Sequence, residues 1–202
     1  MHVIQKVPDD LFAKIKEIIK DKSKDHNKNL AGNIREEYAL HDHIKYIENP
    51  LLSLLSSNQV LEEHFRKLDI LNYPLELCLD SLWVNYQKKH EFNPFHHHDG
   101  IFSFVIFIQI PYLWEEQSKL GPGVKGGNTN LPGVLQIIEF DSMGKPTVQN
   151  KFVDKTWEGK IIAFPSQTPH IVYPFYGTDE YRITVSGNIC FNVKGVMTNG
   201  KS

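Results

Sequence analysis

The sequence predicts an all-β core with helices at its N-terminal end, folded as a sandwich or barrel. Three observations carry this. From about residue 75 the chain breaks into short runs of strand length, rich in β-branched and aromatic residues. Glycine and proline punctuate the gaps, as in Gly121-Pro122-Gly123, Pro132-Gly133 and Gly144-Lys145-Pro146. Before residue 75 the apolar residues recur at helical spacing instead. The 202 residues suit one domain, with 1–75 a mainly helical support and 76–202 the β core.

In chain order, Pro8-Asp9-Asp10 precedes Leu11, Phe12, Ile15, Ile18 and Ile19, which form one helical face. Asp9 or Asp10 is the expected N-terminal cap. The charged run Lys20 to Lys28 reads as a solvated loop. A second helix is expected from about Pro50 to Leu68, with Leu51, Leu54, Leu55, Leu61, Phe65 and Leu68 on its apolar side. Strands are expected at Leu82–Gln87, Phe102–Ile110, Val134–Phe140, Lys151–Lys155, Lys160–Phe164, His170–Tyr176 and Tyr181–Val193, the last broken at Gly187. The segment Trp114 to Gly133 is long, polar and glycine-rich, which marks it as a functional loop and a candidate lid.

Composition narrows the function. The formal charge is -2, which disfavours a partner held through phosphates, such as nucleic acid. No run is long and apolar enough to span a bilayer and no secretory signal is visible, so a cytoplasmic protein is expected. The two cysteines, Cys78 and Cys190, fit buried thiols better than a disulfide framework. Histidine is the unusual count: ten residues, three of them consecutive at 96–98.

Side chains two apart on a strand point the same way. His96 and His98 can therefore converge on one metal ion, and His97 with Asp99 form the competing pair. His170, at the start of a later strand, is the expected remote third ligand. Two ligands close in sequence and one distant make a facial triad with open positions. Alternation also puts Arg182, Thr184 and Ser186 on one face of their strand. A guanidinium on an inward face needs an anion, and its fork matches a carboxylate. His170 followed by Arg182 thus suits a ligand that chelates the metal at one end and carries a carboxylate at the other. Trp83, Asn85 and Gln87 share a face, from which Asn85 can reach such a ligand and Gln87 or Trp83 a second substrate.

These residues resemble the 2-oxoglutarate/Fe(II) dioxygenase superfamily, and more narrowly the small oxygenases of tailed phages and marine viruses, which are prolyl-hydroxylase-like. The resemblance rests on Leu30-Ala31-Gly32-Asn33-Ile34, Leu82-Trp83-Val84-Asn85-Tyr86-Gln87, Glu91-Phe92-Asn93-Pro94 with the histidines, Ser103-Phe104-Val105-Ile106, Phe164-Pro165-Ser166 through His170, and Arg182-Ile183-Thr184-Val185-Ser186-Gly187-Asn188. It implies a double-stranded β-helix, the jelly roll shared with cupins. It maps His96, His98 and His170 onto the iron ligands, and Arg182 and Thr184 onto the site of the far carboxylate of 2-oxoglutarate. Asp99 falls where the relatives carry a serine, and His97-x-Asp99 satisfies the wider His-x-Asp pattern by a slip of one residue. Such a slip turns every side chain to the other face, so both pairs cannot serve at once; the first pair is preferred.

The implied activity is hydroxylation of an unidentified substrate with O2 and 2-oxoglutarate, yielding succinate and CO2, with ascorbate as a reductant. A peptidyl side chain is favoured by analogy, and a phage-encoded chain would work in the host cytoplasm. Two other readings stand beside it. One is a cupin-like metal-binding protein or a dioxygenase that needs no 2-oxoglutarate, for which Arg182 has no role. The other is an inactive structural module.

Overall fold

The structure, a computed structural model, describes residues 2–61, 63, 76–121 and 130–192. Among the described residues ten strands form two antiparallel sheets. The larger has the order β1 (Val3–Lys6), β8 (Lys160–Pro165), β5 (Phe102–Gln109), β10 (Arg182–Phe191), β3 (Leu77–Gln87) and β2 (Glu36–Ala39). The smaller runs β4 (Asn93–His96), β9 (His170–Val172), β6 (Leu135–Phe140) and β7 (Pro146–Lys151).

Period-two alternation separates two cores. Even positions of β3 (Leu82, Val84, Tyr86) and of β5 (Phe104, Ile106, Ile108), with Val185 and Ile189 of β10, pack against the helices. Phe107, Ile162 and Phe164 instead meet Leu135 and Ile137 of the smaller sheet. The central strands are therefore covered on both faces, and their near-continuous burial follows. Helix α1 (Asp9–Ile18) buries Leu11, Ile15 and Ile18, and α2 (Ile44–Ser56) buries Ile47, Leu51 and Leu55, each at i, i+4 or i+3 spacing. Each such side chain contributes about 1.5–3 kcal/mol.

Several expectations need correction. Neither Asp9 nor Asp10 caps α1: Pro8 is the capping position, its carbonyl accepts from the Phe12 N–H at 2.8 Å, and both aspartates lie in the first turn, where they complement the helix dipole. Helix α2 starts at Ile44, so Pro50 lies inside it rather than at its start; Phe65 and Leu68, expected further on, lie outside the described residues. The strand expected at Lys151–Lys155 is absent. The edge strand β7 ends at Lys151, and Asp154 instead accepts from the Thr156 N–H at 2.9 Å to start the 3-10 turn Lys155–Trp157.

Strand β9 stops at Val172, before an irregular segment that contains Pro174, and β10 runs unbroken through Gly187. Glycine is required there because a Cβ would sit 2.5 Å from the Ser81 carbonyl and 2.7 Å from the Phe104 ring. Val193, the expected end of that strand, lies outside the described residues, as do 122–129 in the middle of the expected lid. The N-terminal part supplies its helices and also β1 and β2. Cys78 and Cys190 are half-buried and face each other across β3 and β10 without a disulfide. Among the described residues no helix is long and apolar enough to cross a membrane.

Candidate metal centre

Strands β4 and β9 pair so that His96 stands directly opposite His170. This register is why two histidines far apart in sequence meet. His98 lies just past the end of β4, anchored by its N–H to the Ser166 carbonyl at 2.9 Å. The three rings lie 4.1–5.1 Å apart between centroids, and their ligating atoms all fall within 4.8 Å of one another. Bonds of about 2.1 Å place two ligands on one ion at most ~4.2 Å apart, so small side-chain rotations would let all three reach a single ion.

Their chemistry suits a divalent metal. Nδ1 of His96 contacts the Pro94 carbonyl at 2.7 Å, and Nδ1 of His170 contacts the Thr168 carbonyl at 3.1 Å. A carbonyl only accepts, so Nδ1 carries the proton in both and Nε2 is left as the ligand. Burial, followed by the mutual repulsion of the rings, lowers the pKa of His98 to about 4 and that of His170 to about 3; burial also lowers that of His96. The imidazoles are therefore neutral at pH 7, the form that binds metal. Trp83 flanks His98 at 5.6 Å and Phe164 backs His170 at 4.8 Å. His97 and Asp99, the competing pair, are exposed and lie outside the cavity lining.

The larger sheet provides the facing wall. Its cavity side is built in rows by strand register: Arg182 beside Gln87; Phe107, Thr184, Asn85 and Glu37; then Val105, Ser186 and Trp83. All of these line the same cavity as the three histidines. Arg182 is 2% exposed. Its Nη1 donates to the Gly133 carbonyl at 3.1 Å and to the Tyr112 hydroxyl at 3.3 Å, while its Nε has no partner. Among the described residues it makes no ion pair with a carboxylate. Asn85 donates to the Thr184 hydroxyl at 3.2 Å, and Gln87 donates to the Glu91 carbonyl at 2.6 Å, which ties Gln87 to the loop before β4.

Sequence reasoning missed Tyr112, Gly133, Asn93 and Glu37. The sequence marks Gly133 only as turn punctuation at the end of the expected lid. It has a φ of +74°, and a Cβ there would lie 2.7 Å from the Tyr112 hydroxyl oxygen, so the backbone can approach Arg182 closely only as glycine. The segment expected as a lid is pinned at its start: Gln117 of the helical turn Trp114–Gln117 exchanges hydrogen bonds with the Tyr176 backbone at 2.7 and 2.9 Å.

Residue chemistry fits the two groups expected. Three neutral imidazoles converge, and a buried guanidinium with an unpaired Nε faces the same cavity. Residues 81–188, over half of the chain, match a family model described as "Putative 2OG-Fe(II) oxygenase". No curated protein sequence matches the chain. Among solved structures, an oxidoreductase of the 2OG-Fe(II) oxygenase family from Burkholderia pseudomallei superposes with a TM-score of 0.53 at 12% identity, over 94% of this chain and 85% of that one. A Pseudomonas putida prolyl-4-hydroxylase gives 0.46 at 16% identity, over 92% and 90%. The first of these likenesses shows a shared double-stranded β-helix fold. The chain belongs to the 2OG-Fe(II) oxygenase family, whose cofactors are Fe(II) and 2-oxoglutarate.

Proposed function

We propose that this oxygenase is a hydroxylase in which His96, His98 and His170 hold Fe(II) and Arg182 binds the far carboxylate of 2-oxoglutarate. The observation that carries the reading is the unpartnered Nε of Arg182, 2% exposed, on the wall facing the imidazoles. A buried, half-satisfied guanidinium costs several kcal/mol unless an anion completes it. A dioxygenase that needs no 2-oxoglutarate has no use for that charge.

Iron with 2-oxoglutarate supplies the oxidising power for inserting one oxygen atom into a C–H bond. The chain's own residues orient and shield. Arg182 sits in the row of Gln87, and His98 rests against Trp83, two rows along the sheet. Side chains on one face repeat every ~7 Å along a strand, so the metal and Arg182 are set apart along β10. An extended diacid would be held between them, with the Thr184 hydroxyl, one row from Arg182 on β10, free to hydrogen-bond it. Val105, Phe107, Leu135 and Phe164 surround the site with apolar surface that excludes water. Trp83 is at the level of the metal and belongs to the substrate end; Gln87 belongs to the Arg182 end. A peptidyl side chain is the proposed substrate setting.

An anaerobic Fe(II) titration tests the ligand set. His170→Ala should abolish stoichiometric binding, and Asp99→Ser should leave it intact. Loss of iron in Asp99→Ser with retention in His96→Ala would move the ligands to His97 and Asp99.

A further inference from the structure

The motif Leu30-Ala31-Gly32-Asn33-Ile34 and strand β2 take no part in holding iron or 2-oxoglutarate. Yet Leu30, Ala31, Ile34 and Glu37 all line the cavity. Glu37 is 1% exposed, and neither of its carboxylate oxygens has a hydrogen-bond partner. Arg35, close in sequence, is 93% exposed and its Nε sits 3.8 Å from Glu91 instead. Two further acceptors on the same cavity, Asn85 Oδ1 and Asn93 Oδ1, are also without partners.

The chain makes room for this carboxylate. A Cβ on Gly32 would lie 3.2 Å from Glu37 Oε1 and 2.5 Å from Asn93 Oδ1. The loop carrying Gly32 is itself fixed, with the Asn33 N–H donating to the Phe92 carbonyl at 2.8 Å. By register Glu37 stands beside Asn85, which stands beside Thr184. Adjacent strands are ~4.8 Å apart, so Glu37 is roughly 10 Å to the side of the line that 2-oxoglutarate would occupy along β10. It does not belong to the group of ligating atoms that converge on the metal.

We propose that Glu37 recognises the primary substrate, which carries a cationic nitrogen, an amine or a guanidinium, that docks against this carboxylate. Ionised carboxylate oxygens only accept hydrogen bonds, and such a cation offers several donors at once. Placed there, it satisfies Glu37 and the orphaned amide oxygens beside it, and holds a neighbouring carbon toward the metal. Burial, with repulsion from Glu91 and Asp25, pushes the Glu37 carboxyl up to about 7 in the absence of a counter-charge, which a bound cation relieves. Recognition of a cation deepens the oxygenase reading and rests on it for the reaction, but not for the binding.

The test is calorimetry on protein loaded with Mn(II) and 2-oxoglutarate. The probes are the capped amides of lysine and arginine, their neutral counterparts norleucine and citrulline, and free lysine and arginine. At least one cationic probe should bind about tenfold or more tightly than its neutral counterpart. The stronger of its capped and free forms identifies a peptide or a free metabolite. Glu37→Gln should abolish the preference and leave 2-oxoglutarate affinity unchanged. Equal binding of charged and neutral probes by the native protein overturns the proposal, as does a preference that survives in Glu37→Gln. Failure of 2-oxoglutarate to bind, with the Glu37-dependent preference intact, sinks the oxygenase reading and leaves this one standing.

Discussion

Glu37→Gln also isolates the cost of burying an ionised carboxylate. In the folded chain burial raises this group from its ordinary 4.5 to about 7. Below pH 4.5 the carboxyl is protonated in folded and unfolded chains alike and contributes nothing. Between these values the folded state binds more protons than the unfolded state, so stability falls as pH rises. Above pH 7 the full penalty is present, roughly 3 kcal/mol. Glutamine does not titrate, and every other group cancels when the variant is compared with the native chain at each pH. From pH 5 to pH 8 the metal-free variant should therefore gain roughly 2.5 kcal/mol relative to the native protein. Urea denaturation at half-unit pH intervals reads this directly. Native and variant curves that run parallel across the range would show that Glu37 ionises freely and would refute the reasoning.

Arg182→Ala should raise the KM for 2-oxoglutarate by about a hundredfold, the loss of a charged, two-pronged contact, with Fe(II) affinity little changed; an anaerobic Fe(II) titration beside succinate-release kinetics separates the two, and equal loss of both indicates misfolding. Gly187→Ala should destabilise the fold by about 1–3 kcal/mol, because the added carbon meets the Ser81 carbonyl at 2.5 Å and the Phe104 ring at 2.7 Å in the middle of the sheet. Thermal denaturation measures that loss, and an unchanged Tm would mean that β10 and β3 can part without cost.

The central strands were legible for two different reasons. Arg182–Phe191 alternates, with Val185 and Ile189 toward the helices and Arg182, Thr184 and Ser186 toward the site, whereas Phe102–Gln109 stood out as an apolar run of strand length, buried on both faces. Alternation also predicted that His96 and His98 share a side, although His98 lies beyond the strand end and owes its place to the Ser166 carbonyl. Strand β7 was not legible because Pro146–Lys151 is an exposed edge with no apolar face. Strand β2 was hidden for the opposite reason. Its one fully buried side chain is the charged Glu37, so hydropathy gives no signal for a strand there. Helix α2 was misplaced because proline favours the first turn of a helix, whereas Pro50 lies in its interior.

The distribution of unsatisfied groups argues that the cavity is shaped for ligands and not for stability. Among the described residues, six bury a polar side-chain atom without a partner, and four of them, Glu37, Asn85, Asn93 and Arg182, line this one cavity; only His2 and Asn130 lie elsewhere. Each such atom costs about 1–3 kcal/mol. The two apolar cores on either side of the larger sheet offset that cost without removing its cause. Replacing Arg182 by methionine, which keeps bulk and discards charge, should therefore raise the Tm of the ligand-free protein while abolishing 2-oxoglutarate binding. A guanidinium kept for the fold would behave the other way, because its bonds to Gly133 and Tyr112 would then be worth more than its desolvation; a fall in Tm on that replacement would assign Arg182 to the architecture and leave the cavity without its anion site.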